Sequence, residues 1–370
     1  MDIFSLNPDR DVVELTMDLV NIPSVSGNEQ ALADAVEQLL AQCSHLDVQR
    51  IGNTVVAQTQ LGRPSRVILA GHLDTVPAAG NEQAVFVAAG QPVPHNADEH
   101  ATEDSVFGLG ACDMKGGVAV ALRAAVALQN PSFDVTYILY ECEEVDSARN
   151  GLTLLASSHP QLLQADVAVL LEPSDAQIEA GCQGTLRATV TTHGVRAHSA
   201  RSWLGSNAIH QLSEALQRLT DYAPAQVDVG GLTYREGLNA VGIAGGVAGN
   251  VIPDQATLEV NYRYAPTTSA EEAEQHVRDV FAGFAVTIVD NAPGAMPGLD
   301  RAALADLVAL LDGQIAPKFG WTDVARFSAL GVPAVNFGPG NPGLAHSRGE
   351  FVPCEQLRSC EALILRWLSS

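Results

Sequence analysis

Lysine is nearly missing from this sequence: of 20 basic residues only Lys115 and Lys318 are lysines, and the rest are arginines. Any anion-binding pocket must therefore be built mainly from guanidinium groups, whose planar fork suits bidentate recognition of carboxylates. Basic residues are scarce as a class, since 43 acidic ones leave a formal net charge of −23. Such an excess repels polyanions, so no nucleic acid and no anionic membrane surface is expected as a partner. No stretch reaches the roughly 18 consecutive apolar residues that a membrane span requires. Met1 to Asp11 has no basic segment followed by an apolar run, and a cytoplasmic location is expected. The six cysteines (Cys43, Cys112, Cys142, Cys182, Cys354 and Cys360) show no CxxC spacing. That argues against a disulfide framework and a thiolate zinc site, and leaves reduced thiols as the expectation.

What is present is apolar enough to fold. A chain of 370 residues, 46% hydrophobic, is expected to form two domains at roughly 100 to 200 residues each. Asn7-Pro8 opens a helical pattern through Val20, and Asn28 to Leu40 carries another. Val67 to Ala70, Val135 to Tyr140 and Val167 to Leu171 read as buried strands, with a helix over Gly116 to Leu128. That alternation predicts an α/β layer with a mostly parallel sheet. Near Ile178 the character changes. Thr185 to Thr192 and Thr257 to Tyr264 alternate with period two, as strands with one buried face do. A helix near Asn207 to Leu219 lies between them, and Ser269 with Glu272 forms a capping box for a helix through Phe281. The α/β pattern resumes with Leu304 to Leu311, Ala334 to Phe337 and a final helix with Leu357, Cys360, Ile364 and Trp367 on one face. The expected division is a catalytic domain over 1–178 and 293–370, interrupted by an α+β insertion over 179–292. The polar stretch Gly80 to Ser105 reads as a mobile surface loop.

Five segments carry chemistry. The strand Val67 to Ala70 runs into Gly71-His72-Leu73-Asp74, a His and an Asp at a strand's carboxyl end, where α/β folds place their sites. Taken alone, this pair reads more readily as a structural histidine with its partner than as a metal ligand. Asp113 lies in Gly110-Ala111-Cys112-Asp113-Met114-Lys115-Gly116-Gly117 at a helix entrance, where a plain N-cap is the alternative. Val135 to Tyr140 ends in Glu141-Cys142-Glu143-Glu144, and crowding like charges there is costly without a cation. Glu172 follows the strand Val167 to Leu171, and His346 follows Ala334 to Phe337. Imidazole and carboxylate donors delivered to one sheet edge suit two zinc or cobalt ions better than calcium or magnesium. The remaining histidines, His45, His95, His100, His159, His193, His210 and His276, fall in loops or on polar helix faces and are not expected to bind metal. Cys112 and Cys142, one residue from proposed ligands on strands, are expected to point away and to pack rather than react.

These segments, with the runs YECEEVDS, EAGCQGTLR, HGVRAHSARSWLG, GLTYREGLN, NVIPD and KFGWTDVARFSALG, resemble the dinuclear zinc deacylase and exopeptidase family. That family includes carboxypeptidase G-type enzymes, acetylornithine deacetylases and succinyl-diaminopimelate desuccinylases, and the longer runs are most similar to its desuccinylase branch. The resemblance covers essentially the whole chain. It implies a zinc-exopeptidase-like catalytic domain with an inserted dimerisation domain, two Zn2+ per chain with Co2+ able to substitute, a homodimer and a small-molecule N-succinyl amino-acid substrate. It further implies that Asp113 bridges the metals, with His72 and Glu172 completing one and Glu144 and His346 the other. Asp74 would hold the His72 imidazole, Glu143 would be the general base, and the Asp113-Met114 peptide would be cis. His198, within the insertion, would stabilise the oxyanion from the neighbouring subunit. Arg263, Asn250, Thr322 and Arg326 match substrate-binding positions. Cys182 and Gln183 stand where some desuccinylases carry two arginines, leaving Thr185 or Arg187 to replace that contact. Acetylornithine, other N-acyl amino acids and dipeptides remain alternative substrates for the same chemistry.

Overall fold

The computed structural model describes residues 4–94, 96–311 and 313–370, so the expectation for His95 lies outside the described residues. The chain divides into two compact units. The first runs to Ala180 and also contains Gly298–Ala316 and Arg326–Ser370; the second comprises Gly181–Pro297 and Pro317–Ala325.

The first unit is built on an eight-stranded sheet. Its order is Asp47–Ile51, Thr54–Gln58, Asp134–Tyr140, Arg66–His72, Val167–Leu170, Ala334–Asn336, Ile178–Ala180 and Ile315–Pro317. The four strands from Asp134–Tyr140 to Ala334–Asn336 run parallel, with Val67 opposite both Val135 and Val167 and Ala334 opposite Ala168. These strands are buried almost throughout, as parallel strands covered on both faces are. The helix Gly116–Ala127 packs on Arg66–His72 and against the helices Val12–Val20 and Cys354–Ser369. In the last of these Leu357, Cys360, Ile364 and Trp367 are buried together, as their spacing predicts.

The helix expected from Pro8 begins only at Val12. The Asn7 side chain accepts from the Asp9 amide and shapes a separate turn, while Asp11 caps the helix by accepting from the Glu14 amide at 2.8 Å. The stretch Gly80 to Ser105 is not simply a loop. Val85–Val87 pairs with Ser105–Phe107, which pairs with Phe351–Pro353, and Pro92–Val93 pairs with Asn96–His100. Val87, Ala101 and Phe107 form a small core, with Phe351 stacked on Phe107. The polar composition hid the two-stranded sheet because Asn96–His100 is exposed at every position and shows no alternation.

The second unit holds a four-stranded antiparallel sheet in the order Gly237–Gly245, Gln255–Tyr264, Gly184–His193, Ala285–Ala292. One face buries Leu186, Ala188, Val190, Leu258, Val260, Tyr262 and Tyr264 with Leu212, Ala215, Ala273 and Val277 of the helices Ala208–Thr220 and Ala270–Val280. The Ser269–Glu272 capping box forms as the sequence implies. His100 and His193 lie on strands rather than in loops.

Candidate metal centre

The parallel strands deliver His72, the turn Glu141 to Glu144, Glu172 and the segment leading to His346 from their carboxyl ends, while Asp113 arrives from the turn before the helix Gly116–Ala127. That turn, Ala111–Lys115, closes through Lys115 N–H to Gly110 O at 2.7 Å. Asp113 and Met114 depart from helical geometry within it, and the peptide between them is cis. Lys115, not Asp113, occupies the helix cap position, so the simple capping alternative does not apply. The helix can start this close to the sheet because residue 117 is glycine. A Cβ there would land on the Leu171 carbonyl oxygen, and Gly338 meets the Leu171 and Glu172 carbonyls from elsewhere in the unit.

The five side chains converge. His72 Nε2 lies 3.0 Å from Asp113 Oδ1 and 4.0 Å from Glu172 Oε1, while His346 Nε2 lies 3.4 Å from Asp113 Oδ2 and 2.8 Å from Glu144 Oε1. The two oxygens of Asp113 thus face two different imidazoles. Donor atoms of His72, Asp113 and Glu144 all fall within 4.8 Å of one another. His72 Nδ1 donates to the Asp74 carbonyl at 3.0 Å; since a carbonyl only accepts, that bond fixes the proton on Nδ1 and leaves Nε2 facing the carboxylates.

Electrostatics follow from this crowding. Burial opposes charge on His72, but the bond to Asp113 and the charges of Asp113, Glu172 and Asp74 hold its pKa well above the usual value. Bonds to Asp113 and Glu144 lift His346 to about 10. For Asp113 burial acts upward, and the two imidazoles overcome it and hold the carboxyl below its ordinary range. The two imidazoles thus take the place beside the Asp113 carboxylate that a cation would occupy.

The Asp74 carboxylate, unlike its carbonyl, is turned mainly to other partners. It lies 3.6 Å from His72 Nδ1, yet accepts from the Glu143 amide at 2.9 Å, the Glu144 amide at 3.1 Å and the Ser26 hydroxyl at 2.7 Å. Its closest work is to shape the turn that carries Glu143 and Glu144. A residue missed in the sequence is Glu350, buried, whose Oε1 accepts from the Cys112 and Asp113 amides at 3.0 Å each. Burial and the nearby Asp113 charge push its carboxyl up to about 7, against the opposing effect of those amide bonds. The available signal was an acidic residue set between Gly349 and the apolar pair Phe351-Val352.

Neither flanking cysteine is on a strand: Cys112 sits in the helical turn and Cys142 just beyond Tyr140 with φ 59°. Both are buried. Burial pushes the Cys142 thiol up to about 12 and Cys112 well above its usual value, which keeps both unreactive.

The other sequence-derived residues fall mostly in the second unit. Thr185 and Arg187 share the sheet face opposite the core with Asn261 and Arg263, Thr185 lying opposite Arg263 in register. Arg263 is half-buried, its Nε donates to Asn261 Oδ1 at 3.1 Å, and Asn261 Nδ2 donates to Thr185 Oγ1. Among the described residues Arg263 has no carboxylate partner, whereas exposed Arg187 already pairs with Asp290 at 3.4 Å. His198 is exposed, and its Nδ1 accepts from the Ala200 amide at 3.0 Å, which puts the proton of the neutral ring on Nε2. Asn250 is exposed and is brought beside it by the pairing of Ala197–His198 with Val251–Ile252, its carbonyl accepting from the Ser199 amide. Thr322 is buried in the second unit. Arg326 belongs to the first, donating to Ser147 Oγ and Thr153 Oγ1.

Comparison with known proteins places this arrangement. The chain is 52% identical over 361 residues to a putative succinyl-diaminopimelate desuccinylase of Mycobacterium tuberculosis (strain CDC 1551 / Oshkosh), covering 97% of this chain and 98% of the relative. It is 45% identical to a succinyl-diaminopimelate desuccinylase of Corynebacterium glutamicum, covering 97% and 96%. Among solved structures, a tripeptidase from Staphylococcus aureus shares the fold with a TM-score of 0.76 at 20% identity, covering 98% of each chain. Residues 68–370 match peptidase family M20/M25/M40, and the chain belongs to that family.

Proposed function

We propose that this chain is a dinuclear-metal amidohydrolase that cleaves N-succinyl-LL-2,6-diaminopimelate to succinate and LL-2,6-diaminopimelate, within diaminopimelate and lysine biosynthesis. The observation that carries the metal reading is Asp113, whose two oxygens face separate imidazoles 3.0 and 3.4 Å away. His72 and Glu172 would hold one ion and Glu144 and His346 the other, with Asp113 between them. This mixed nitrogen and oxygen donor set, free of thiolate, fits zinc, with cobalt able to substitute. Such ions, when bound, polarise the amide carbonyl and acidify water.

The chain's own residues then divide the remaining work. Glu143, on the turn held by Asp74, accepts a proton from the attacking water and returns it to the amide nitrogen, which leaves poorly as an anion. His198 presents an Nε2–H donor to the developing oxyanion. We assign 1–178 and 293–370 to the catalytic domain and 179–292 to a dimerisation domain. Two features support a homodimer: Gly237–Gly245 is a sheet edge with exposed Val241 and Ile243, and Trp203 and Leu204 of the same unit are exposed. Arg263, held by Asn261 and without a carboxylate partner among the described residues, is the first choice for a substrate carboxylate. Thr185, Asn250, Thr322 and Arg326 are further contacts, and Arg187 ranks below them because Asp290 already neutralises it. A cytoplasmic site of action agrees with the absence, among the described residues, of any helix long and apolar enough to cross a membrane.

The test is hydrolysis of the N-succinyl substrate against its N-acetyl analogue by the zinc-loaded protein. Only the succinyl group offers a distal carboxylate, and losing one charge-assisted contact costs about 1.5 to 3 kcal/mol, roughly 10- to 150-fold in kcat/KM. Equal rates would remove the desuccinylase assignment.

A further inference from the structure

The turn that carries Glu143 and Glu144 is held from behind by a segment with no assigned role. Glu29 is fully buried. Its Oε1 accepts from the Cys142 amide at 3.2 Å, from the Cys142 thiol at 3.3 Å and from the Gly27 amide at 2.7 Å. Cys142 adopts φ 59°, a left-handed conformation that a residue with a Cβ occupies only at a cost, so something must hold it there. The next two amides, of Glu143 and Glu144, go to Asp74, whose Oδ2 also accepts from Ser26 Oγ. Three successive amides therefore point at two buried carboxylates, and Ser26 and Glu29 brace that arrangement from one six-residue stretch, Ser24 to Glu29.

We propose that Glu29, together with Ser26, is a positioning clamp for the acidic turn: by taking the Cys142 amide and bracing Asp74, the pair fixes the backbone from which Glu143 and Glu144 project into the metal centre. The inference rests on the metal-centre reading above. Glu29, Glu141 and Cys142 also offer donor atoms within 4.8 Å of one another, but the Arg149 guanidinium, 3.7 Å from Cys142 Sγ, already supplies positive charge at that place. Glu141 Oε1 is meanwhile used by the Asn53 amide at 2.8 Å. A clamp accounts for the hydrogen bonds without a further ion.

The clamp makes a demand that burial alone does not: the acceptor oxygen matters, and the negative charge does not. Glu29→Gln keeps an oxygen for the Cys142 amide, whereas Glu29→Ala removes it. In Glu29→Ala we expect the weaker of the two metal affinities, read by competition with a chromophoric chelator, and kcat each to fall about 10- to 100-fold, the range typical of residues that orient ligands. KM should stay at the wild-type value, and Glu29→Gln should restore both quantities. Asp134 serves as the control for a merely structural effect. It sits at the opposite end of the same strand and accepts the Leu61 and Arg63 amides, so Asp134→Ala should lower Tm and leave kcat and metal affinity unchanged. If Glu29→Ala does not fold, Ser26→Ala, which opens almost no cavity, should still weaken metal binding with little change in Tm.

Wild-type metal affinity in folded Glu29→Ala, equal damage in Glu29→Gln and Glu29→Ala, or an unaffected Ser26→Ala would each overturn the clamp. So would a third metal ion per chain that Glu29→Gln loses. Metal affinity is read without substrate. A wild-type protein that fails on the succinyl compound therefore removes the proposed function while leaving the clamp to be decided by these ratios.

Discussion

Gly117→Ala sets local helix preference against tertiary packing. Residue 117 lies in the first turn of Gly116–Ala127 without an unusual φ, so alanine fits its backbone and by propensity alone gains up to about 1 kcal/mol. The new Cβ, however, would meet the Leu171 carbonyl oxygen, with the Leu171 carbonyl carbon and Cβ each at 2.9 Å. Those atoms lie just past the central strand Val167–Leu170, where the Leu171 amide is still bonded to the Ala70 carbonyl, and they cannot rotate away. Overpacking of this kind costs about 1 to 3 kcal/mol, and a backbone obstacle places it toward the upper end. The net expectation is destabilisation of about 1 to 2 kcal/mol, the difference between the packing cost and the propensity gain. Glu172 is the next residue, so metal affinity should fall as well. Urea denaturation with and without zinc measures the first, and chelator competition the second. Gly338 approaches the same Leu171 carbonyl and that of Glu172, so Gly338→Ala should combine with Gly117→Ala non-additively. A neutral or stabilising Gly117→Ala, with metal binding intact, would refute the packing argument.

Three further outcomes are expected. Glu143→Gln should retain its metals by elemental analysis yet lose about 10³-fold or more in kcat, as when the general base also generates the nucleophile; near-wild-type turnover would exclude Glu143 as the base. In the metal-free chain His346 is raised from 6.5 to about 10, so its stabilising effect is full below about 6.5 and is lost as pH rises through about 10. Metal must displace that proton, hence apparent affinity should increase from pH 7 to pH 9 in a chelator-competition titration, and a flat profile would count against His346 as a ligand. Mixing His198→Ala chains with Glu143→Gln chains should recover activity toward one quarter of wild type if His198 acts across a dimer, since random pairing gives about half mixed dimers with one complete site each. Demonstrated exchange without recovery would place His198 in its own chain's site or outside the reaction.

How far the site could be read from the sequence depended on distance along the chain. Apolar runs ending in His72, Glu141 to Glu144 and Glu172 announce buried parallel strands with donors at their carboxyl ends. The period-two stretches before His193 and before Tyr264 announce a different, one-sided sheet. Both patterns are properties of neighbouring residues, because a strand's burial is written in its own alternation or lack of it. The sheet that begins within Gly80 to Ser105 escaped for the same reason, since Val85-Phe86-Val87 is too short to show a period, and its partner Ser105–Phe107 pairs in turn with Phe351–Pro353, far along the chain.

Only the tertiary structure decided which carboxylates face imidazoles and which accept backbone amides. Asp74, expected to serve His72, spends its shortest bonds on Ser26 and on amides 69 and 70 residues away. Glu29 reaches an amide 113 residues away, and Glu350 one 237 residues away. An isolated acidic residue looks alike in either role, because the carboxylate group is the same acceptor. What separates the roles is whether cationic or imidazole donors or backbone amides surround it after folding, and that is set by the packing of segments distant in sequence.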